Sequence, residues 1–323
     1  FPTDYMIAYY AEKAKGGAAV VTVGDTPVDH EHAPSNPRSF NLSYEALPFI
    51  SELAMAIKSH GALASLELNH GGLSNPPEAM GGRNPIGPVS FVRSWDGVEV
   101  FGMDEAMMNT VADHFADAAE LLKIAGFDMC LLHGGHGWLL DQFISPLFNT
   151  RTDEYGGPLE NRAKFPLMVI DRVRERVGDD FLIEYRMSGS EEIEGGLTAE
   201  EAIEFAKMID GKVDIIHVSA ALDTEEAQAV HTHPTIFLPH GVNVHYAAEI
   251  KKHVKSPVVT IGSMSDPEMG EQILAEGRAD IIGMTRALIA DPYWPEKARL
   301  GLSADINPCL RCLDCLTRMH TGQ

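Results

Sequence analysis

The feature that most constrains the fold of this chain is a regular alternation of short apolar segments with longer amphipathic ones. Seven apolar runs rich in β-branched residues have the length of buried strands and end at glycine, proline or polar residues. These runs lie at 18–23, 62–68, 127–132, 181–187, 213–219, 257–262 and 279–284. Helical patterns lie between and around them at 5–15, 44–59, 104–125, 162–177, 198–209, 243–254 and 266–276, and a last helix begins at 295. Such alternation is typical of a parallel sheet covered by helices, so we predict an α/β fold.

The architecture that best accommodates this pattern is a TIM (β/α)8 barrel, which needs about eight strand–helix units. The chain opens with a helix where a first strand and its loop would stand, which accounts for the count of seven strands. We therefore expect the first strand to be absent from the chain as given. We predict that the barrel occupies 1–300 and that 301–323 begins a separate segment that carries cysteines.

The charge of the chain limits the classes of partner. With 25 basic and 47 acidic residues the formal net charge is −22, which repels phosphate backbones, so we do not expect nucleic-acid binding. No run of about 18 apolar residues occurs, so we expect no membrane-spanning segment. Three of the four cysteines lie in the last fifteen residues, which is not the pattern of a secreted disulfide framework. We expect a cytoplasmic enzyme with a small-molecule substrate, compatible with assembly as a homo-oligomer.

One of the predicted strands ends abruptly at two histidines. The sequence CLLHGGHGW places His133 and His136 three residues apart, and the polar, glycine-broken segment 139–157 follows. Active sites of parallel barrels are built at the carboxyl ends of the strands, so we interpret this pair as catalytic. Two alternatives are hydrogen bonding of both rings to loop backbone, and metal binding, for which the motif offers no acidic or cysteine partner.

The last two predicted strands end in glycine-containing turns. The first ends in Gly262-Ser263 and the second in Gly283-Met284-Thr285-Arg286. Glycines let backbone N–H groups approach an anion, and the arginine adds a fixed positive charge. Loops at these two positions are the usual phosphate site of such barrels, so we predict a phosphate group here, with simple strand-end turns as the alternative.

Three cysteines near the end of the chain form a C-x2-C-x2-C run, made by Cys309, Cys312 and Cys315. Thiolates this close together suit a [4Fe–4S] cluster whose fourth ligand comes from elsewhere, and zinc is the competing metal. The remaining cysteine, Cys130, lies within a strand on the face opposite to His133. We interpret it as a small buried apolar residue.

Together these segments resemble the Old Yellow Enzyme family. The loop 133–162 resembles the long loop after the fourth strand of that family, and the segments 66–72, 184–188, 258–267 and 279–292 also match. The cysteine run is similar to that of its iron–sulfur branch, typified by dienoyl-CoA reductase and trimethylamine dehydrogenase. The resemblance implies an FMN-bearing barrel that passes a hydride to an activated C=C bond. Electrons would come from NAD(P)H through the cluster and through further domains, which could hold FAD.

The resemblance also implies roles around the flavin ring. Gly24 would lie beneath the isoalloxazine, and Arg186 would stabilise the anionic reduced ring near N1 and O2. Glu67 stands where the family has a glutamine that contacts the pyrimidine ring. A carboxylate accepts hydrogen bonds but donates none, so we expect Glu67 to lower the flavin reduction potential.

For the substrate, the resemblance implies that His133 and His136 hold a carbonyl or similar oxygen and polarise the double bond. The family tyrosine that protonates the substrate is replaced by Trp138, whose indole N–H is far too weak an acid. We expect His231 or His233 to replace it, with a solvated loop as the alternative, and Trp138 to form an aromatic wall. The fourth cluster ligand would lie beyond Gln323, so we expect the chain to continue further.

Other functions are compatible with parts of the pattern. An amine dehydrogenase would pass electrons outward, and a non-catalytic electron-transfer subunit would keep flavin and cluster without turnover. A phosphate-binding barrel of the lyase type would purify colourless. The substrate is left open, because specificity would reside in the loops 69–103 and 220–240.

Overall fold

The computed structural model describes residues 1–33, 40–223 and 231–321, with side chains described as far as Arg318. Its centre is a seven-stranded sheet in which every neighbouring pair is parallel. In spatial order the strands are β1 (Val20–Pro27), β2 (Leu63–Asn69), β6 (Met129–Gly134), β7 (Leu182–Ser188), β8 (Ile215–Ser219), β9 (Val258–Thr260) and β10 (Ile281–Ile282). Spatial order follows chain order, and the sheet curls as the wall of a barrel does. The predicted α/β class and the seven predicted strands are confirmed.

Helices connect successive strands of the sheet, and others precede the first strand or follow the last one. They are α1 (Asp4–Lys15), α2 (Leu47–Lys58), α3 (Glu105–Ala125), α4 (Leu139–Ile144), α5 (Leu159–Arg162), α6 (Lys164–Val177), α7 (Ala199–Ile209), α8 (Val244–Lys251), α9 (Pro267–Ala275), α10 (Arg286–Ala290), α11 (Trp294–Arg299) and α12 (Asp314–Thr321). Helix α7 begins with a capping box, in which the Thr198 hydroxyl accepts from the N–H of Glu201 and the Glu201 carboxylate accepts from the N–H of Thr198. Within the described residues, every helix is too short or too polar to cross a bilayer.

A second, smaller sheet lies in the long excursion between β2 and α3. Its strands β3 (Ile86–Gly87), β4 (Phe91–Val92) and β5 (Glu99–Gly102) stand in the order β3-β5-β4. The guanidinium of Arg151, in the loop after β6, donates to the carbonyls of Pro88 and Met103 at 2.7 Å each. These bonds attach the small sheet to the loop that follows the histidine pair.

Strand alternation decides which polar residues face the interior of the curled sheet. The register places His133 beside Arg186 and Arg186 beside His217 on three adjacent strands. The intervening Tyr185 faces the helices instead, with its ring 5.7 Å from that of Phe205 in α7. Cys130 is fully buried, and burial raises the pKa of its thiol to about 12, as expected for an inert core residue.

The first strand departs from the predicted one. Strand β1 continues four residues past Val23, and its pairing with β2 shifts register between Val23 and Thr26. The Asn69 side chain donates to the carboxylate of Asp25 within the shifted segment. Gly24 therefore lies inside the strand rather than just after it.

Candidate active site

The two histidines of the sequence motif are in direct contact. His133 ends β6, and its Nε2 lies 3.0 Å from Nδ1 of His136. The turn that brings them together places His136 at φ +61°, a left-handed conformation that few residues adopt. The backbone N–H of His136 donates to the hydroxyl of Ser188 at the end of β7, at 3.0 Å. Both rings are buried, so this conformation is held by the surrounding structure.

The pair is the middle of a longer chain of polar contacts. Nε2 of His136 lies 2.7 Å from the hydroxyl of Ser219 on β8, and Nδ1 of His133 lies 2.9 Å from a carboxylate oxygen of Glu67 on β2. The second oxygen of Glu67 is 3.5 Å from the guanidinium of Arg186 on β7. Three strands and the turn after β6 thus contribute to one line of contacts, which we call the relay: Glu67, His133, His136 and Ser219.

Charges in the relay are set by burial and by its cationic neighbours. Burial opposes ionisation of Glu67, but His133 and Arg186 outweigh it and lower the pKa of the Glu67 carboxyl to about 2. Burial and the adjacent Arg186 hold the pKa of His136 well below its usual range. At neutral pH, Glu67 is therefore a carboxylate and His136 is a neutral imidazole.

A second pair formed by a histidine and a carboxylate lies beside the relay. Nδ1 of His217 is 2.7 Å from the carboxylate of Glu184, and both side chains are buried. The sequence analysis did not identify His217. The signal was available, since a histidine flanked by apolar residues within the strand 213–219 requires a buried partner.

A cavity of about 290 Å³ joins the relay to the predicted phosphate site. The predicted site residues that line it are Arg186, His233, Gly262, Ser263, Gly283, Met284, Thr285, Arg286, Cys309 and Cys315. Ser219 of the relay also lines it. Residues from β7, β8, the two predicted phosphate loops and the cysteine run are thus gathered around one space. Of the predicted specificity loop 220–240, residues 224–230 lie outside the described part of the chain.

A larger groove of about 950 Å³ lies between the exit of β1 and helix α3. Its wall contains Asp29, whose buried carboxylate is 3.2 Å from His32 and 3.6 Å from His114. None of the relay residues lines this groove. We place the active site in the smaller cavity, because the chemically distinctive side chains converge there.

The phosphate end of the cavity has the features of an anion site. A Cβ added at Gly283 would lie 3.1 Å from a methyl of Val259, so the packing around residue 283 leaves little room for a side chain. The hydroxyl of Ser263 is buried without a hydrogen-bond partner, and Ser263 itself has φ +56°. Arg286 donates to the carbonyl of Pro234 at 2.9 Å, which holds its guanidinium at the cavity wall.

The ring end of the cavity fits a flavin. Nε of Arg186 is buried and has no hydrogen-bond partner within the protein, which leaves a donor for a bound group. Gly24 on β1 does not line this cavity, but the space beside it is open, since an added Cβ would meet only the Tyr10 hydroxyl, at 3.8 Å. A buried cationic donor, an open glycine face and a phosphate site in one fold match the ring and the tail of FMN.

The predicted proton donors do not share one environment. His233 lines the cavity, and its Nε2 lies 3.3 Å from the carboxylate of Asp223. The N–H of Asp223 donates to the His136 carbonyl at 3.1 Å, so this dyad is tied to the histidine pair. His231 is not among the lining residues.

Trp138 is half-buried, with its ring 5.9 Å from that of His133.

The cysteine run lies in a strained loop. Arg311 and Leu313, between the cysteines, have φ of +53° and +62°, and such conformations persist only where the surroundings impose them. Cys309 and Cys315 line the cavity, whereas Cys312 is exposed. Across residues 1–33, 40–223 and 231–318, no three histidine, cysteine or acidic side chains are arranged to hold a metal ion.

Two buried carboxyl groups behind the histidine pair were not found from the sequence. Asp141 accepts from the N–H of Gly137 at 2.7 Å, next to His136. Glu191 accepts from the Ser145 hydroxyl at 2.8 Å and from the N–H of Leu197 at 2.6 Å. Burial and the neighbouring Glu191 hold the pKa of Asp141 well above its usual range, and burial raises the pKa of Glu191 to about 7.

Glu191→Gln is expected to weaken the pH dependence of stability. Because the pKa of Glu191 is raised on folding, its stabilising contribution is complete below about pH 4.5 and is lost as pH rises through about 7. Across that interval the wild type should lose on the order of 3 kcal/mol of unfolding free energy from this group, and the variant should lose little of it. Urea unfolding at pH 5 and pH 8 measures the difference, with exposed Glu194→Gln as the control; equal pH slopes in both variants would refute the prediction.

Comparison with known proteins is consistent with this geometry. The model of the NADH:flavin oxidoreductase / NADH oxidase family matches residues 1–305. The chain is 38% identical to an NADH oxidase of Thermoanaerobacter brockii, over 95% of this chain and 47% of that protein. It is 32% identical to an N,N-dimethylglycine/sarcosine dehydrogenase of Chromohalobacter salexigens, over 99% of this chain and 47% of that protein.

A solved structure of 2-naphthoyl-CoA reductase with 2-naphthoyl-CoA superposes with a TM-score of 0.88 at 29% identity, and covers 97% of this chain and 49% of that one. The chain spans about half the length of the curated relatives it matches. The extent of the family match and of these alignments confirms both the barrel-type fold and the resemblance to Old Yellow Enzyme. The chain belongs to the NADH:flavin oxidoreductase / NADH oxidase family.

Proposed function

We propose that this chain binds FMN and transfers a hydride, derived from NAD(P)H, to an activated C=C bond. The observation that carries the proposal is the single cavity that runs from Arg186 and Ser219 to Gly283 and Arg286. Arg186 offers a cationic donor for a ring and Arg286 a cationic site for a phosphate, while Arg311, which also lines the cavity, donates to the Leu238 carbonyl. When bound, FMN supplies the hydride chemistry that no side chain of the site can provide.

The protein residues then have distinct tasks. Gly262, Ser263, Gly283, Met284 and Thr285 form the walls around the phosphate, and Arg286 neutralises its charge. Arg186 donates to the ring, and Gly24 leaves room for it. Glu67 lies beside Arg186 and weakens the positive field there, which favours a lower reduction potential.

The substrate is proposed to lie against Ser219, the relay residue that lines the cavity, with His136 and His133 behind it and Trp138 as an aromatic wall. His233 is the proposed proton donor, because its ring reaches the cavity while Asp223 orients it. His231 would take this role only if the loop moved.

The cysteine run is proposed to hold a [4Fe–4S] cluster that passes electrons toward the flavin. The thiolate donors suit iron–sulfur ligation, the loop is strained, and two of the cysteines border the flavin cavity. A reducing compartment such as the cytoplasm would suit these thiols. Assembly into a homo-oligomer stays a prediction, which sedimentation would test.

Replacing Cys309, Cys312 and Cys315 together by serine is expected to remove the cluster and leave FMN bound. Iron content after anaerobic reconstitution should fall from about four atoms per chain to nearly none, because serine binds iron poorly. Cys130→Ser serves as the control for a cysteine outside the run. Zinc in place of iron in the wild type, or unchanged iron in the triple variant, would contradict the proposal.

A second candidate is the oxidation of an amine, with electrons passing from substrate to flavin. The relay favours it, since His133 and His136 have all four ring nitrogens within 3.0 Å of protein groups, so neither ring has a free N–H for a carbonyl. One relative is named as a dehydrogenase of N-methylated amino acids.

Anaerobic half-reactions separate the candidates. Flavin reduced by NADH or dithionite should be reoxidised by an activated alkene, and oxidised flavin should stay unchanged with an alkylamine. The opposite pair of results would identify an amine dehydrogenase. Bound flavin that responds to neither compound would indicate an electron-transfer subunit, and a colourless protein would exclude the proposal altogether.

A further inference from the structure

We propose that Glu67 sets the direction of every hydrogen bond in the relay, so that Ser219 presents a hydrogen-bond acceptor to the cavity. Glu67 is then a positioning residue that acts through two imidazoles on a hydroxyl three contacts away. The consequence for substrate choice rests on the proposed function, whereas the direction of the hydrogen bonds does not.

The argument begins at the carboxylate. Oε1 of Glu67 lies 2.9 Å from Nδ1 of His133, although the contact is not a well-aligned hydrogen bond. A carboxylate has only lone pairs, so a ring nitrogen this close must carry the proton to avoid facing it with a lone pair. His133 is thereby a donor at Nδ1. We infer that its Nε2 accepts, because a second ring proton would add a positive charge beside Arg186, which already pairs with the Glu67 carboxylate.

The same logic passes along the relay. Nε2 of His133 accepts, so Nδ1 of His136, at 3.0 Å, must donate. His136 is neutral, because burial disfavours its charged form, and its Nε2 is therefore an acceptor. The hydroxyl of Ser219, at 2.7 Å, must supply the last hydrogen.

This leaves Ser219 with its only hydrogen directed away from the cavity and its lone pairs free to face it. A substrate group at this position would need an N–H or O–H, as in a primary amide or an amine. A group that only accepts hydrogen bonds would meet a lone pair and would lose affinity. The inferred substrate class is therefore one that carries a hydrogen-bond donor next to the reacting bond.

Glu67→Gln reverses the relay while keeping its shape. Arg186 only donates, so the amide oxygen faces Arg186 and the NH2 group donates to Nδ1 of His133. Both rings then carry their proton at Nε2, which frees the Ser219 hydrogen for the cavity. Nitrogen-15 NMR of the imidazoles reads the tautomers directly, with or without flavin. We expect Nδ1–H at both rings in the wild type and Nε2–H at both in the variant.

The matched substrate pair is cinnamamide and N,N-dimethylcinnamamide, which differ in the N–H donors. The preference is the kcat/KM for cinnamamide divided by that for N,N-dimethylcinnamamide. It should be about tenfold lower in Glu67→Gln than in the wild type. The effect of methyl bulk is the same in both proteins and therefore cancels when the two preferences are compared. Ser219→Ala should also reduce the preference but leave both rings with Nδ1–H, which tests the direction of the relay even if Glu67→Gln folds poorly.

Several results would overturn the inference. They are Nε2–H or doubly protonated rings in the wild type, identical tautomers in the wild type and Glu67→Gln, or altered tautomers in Ser219→Ala. Failure of the proposed function looks different, because the protein would then bind no flavin or turn over neither amide while the tautomers stay as predicted.

Discussion

Arg286→Gln is expected to lower the affinity for FMN by roughly 10- to 100-fold while leaving the affinity for riboflavin unchanged. The guanidinium lines the cavity and is held there by its bond to the Pro234 carbonyl. A charge-assisted hydrogen bond to a phosphate is worth about 1.5–3 kcal/mol, which the neutral amide cannot replace. Titration calorimetry of the apoprotein with each flavin measures both affinities.

Riboflavin makes this test specific, because it shares the ring and lacks the phosphate. Arg299→Gln is the matched control, since this arginine is exposed and pairs with Glu296 on α11. If FMN and riboflavin weaken equally in Arg286→Gln, the arginine acts through the loop at Pro234 and the phosphate lies elsewhere.

His136→Ala is expected to slow substrate turnover by about 100- to 1,000-fold and to leave reduction of the flavin unaffected. His136 contacts both His133 and Ser219, so its removal breaks the relay where the substrate is proposed to bind. Without His136 the Ser219 hydroxyl is free to rotate, so the substrate loses a preorganised polar contact, and such a loss typically costs about this much. Stopped-flow measurement of the two half-reactions separates the effects.

The control for His136→Ala is His60→Ala, which removes an exposed imidazole outside the site. Histidine and alanine are both L-residues with a similar cost at positive φ, so any loss of stability, which thermal unfolding measures separately, reports the buried contacts of the imidazole. Equal slowing of flavin reduction and of substrate turnover would place His136 in a structural role.

The fold was largely predictable because local signals agree with the global pattern. Each strand is a short apolar run that ends at glycine or a polar residue, and the capping box at Thr198 marks a helix start without reference to the rest of the chain. The path of β1 beyond Val23 was not predictable. Its register shift depends on contacts such as that between Asp25 and Asn69, which lie 44 residues apart in sequence.

The site was predictable only where its residues are contiguous in sequence. His133 and His136 share one motif, and Gly283 and Arg286 share another, so spacing alone identifies them. Ser219, His217 and Asp223 are single polar residues whose partners lie on other strands or loops. Their roles follow from the register of β6, β7 and β8, which no local pattern specifies.

The placement of Glu67 illustrates the same limit. From the sequence it is a carboxylate where a flavin contact was expected, and the expected partner was the ring itself. The structure pairs it with His133 and Arg186, so its charge acts on the histidines as well as on the cavity. Which of several neighbours a buried carboxylate contacts is decided by packing across strands.

A crystal structure of the chain with FMN tests the central claim most directly. We expect the phosphate to lie between Gly262-Ser263 and Gly283–Arg286, and the ring to lie between Gly24 and the His136–Ser219 contact, with Arg186 donating to it. FMN bound in the groove beside Asp29, or with its phosphate away from Arg286, would contradict the account.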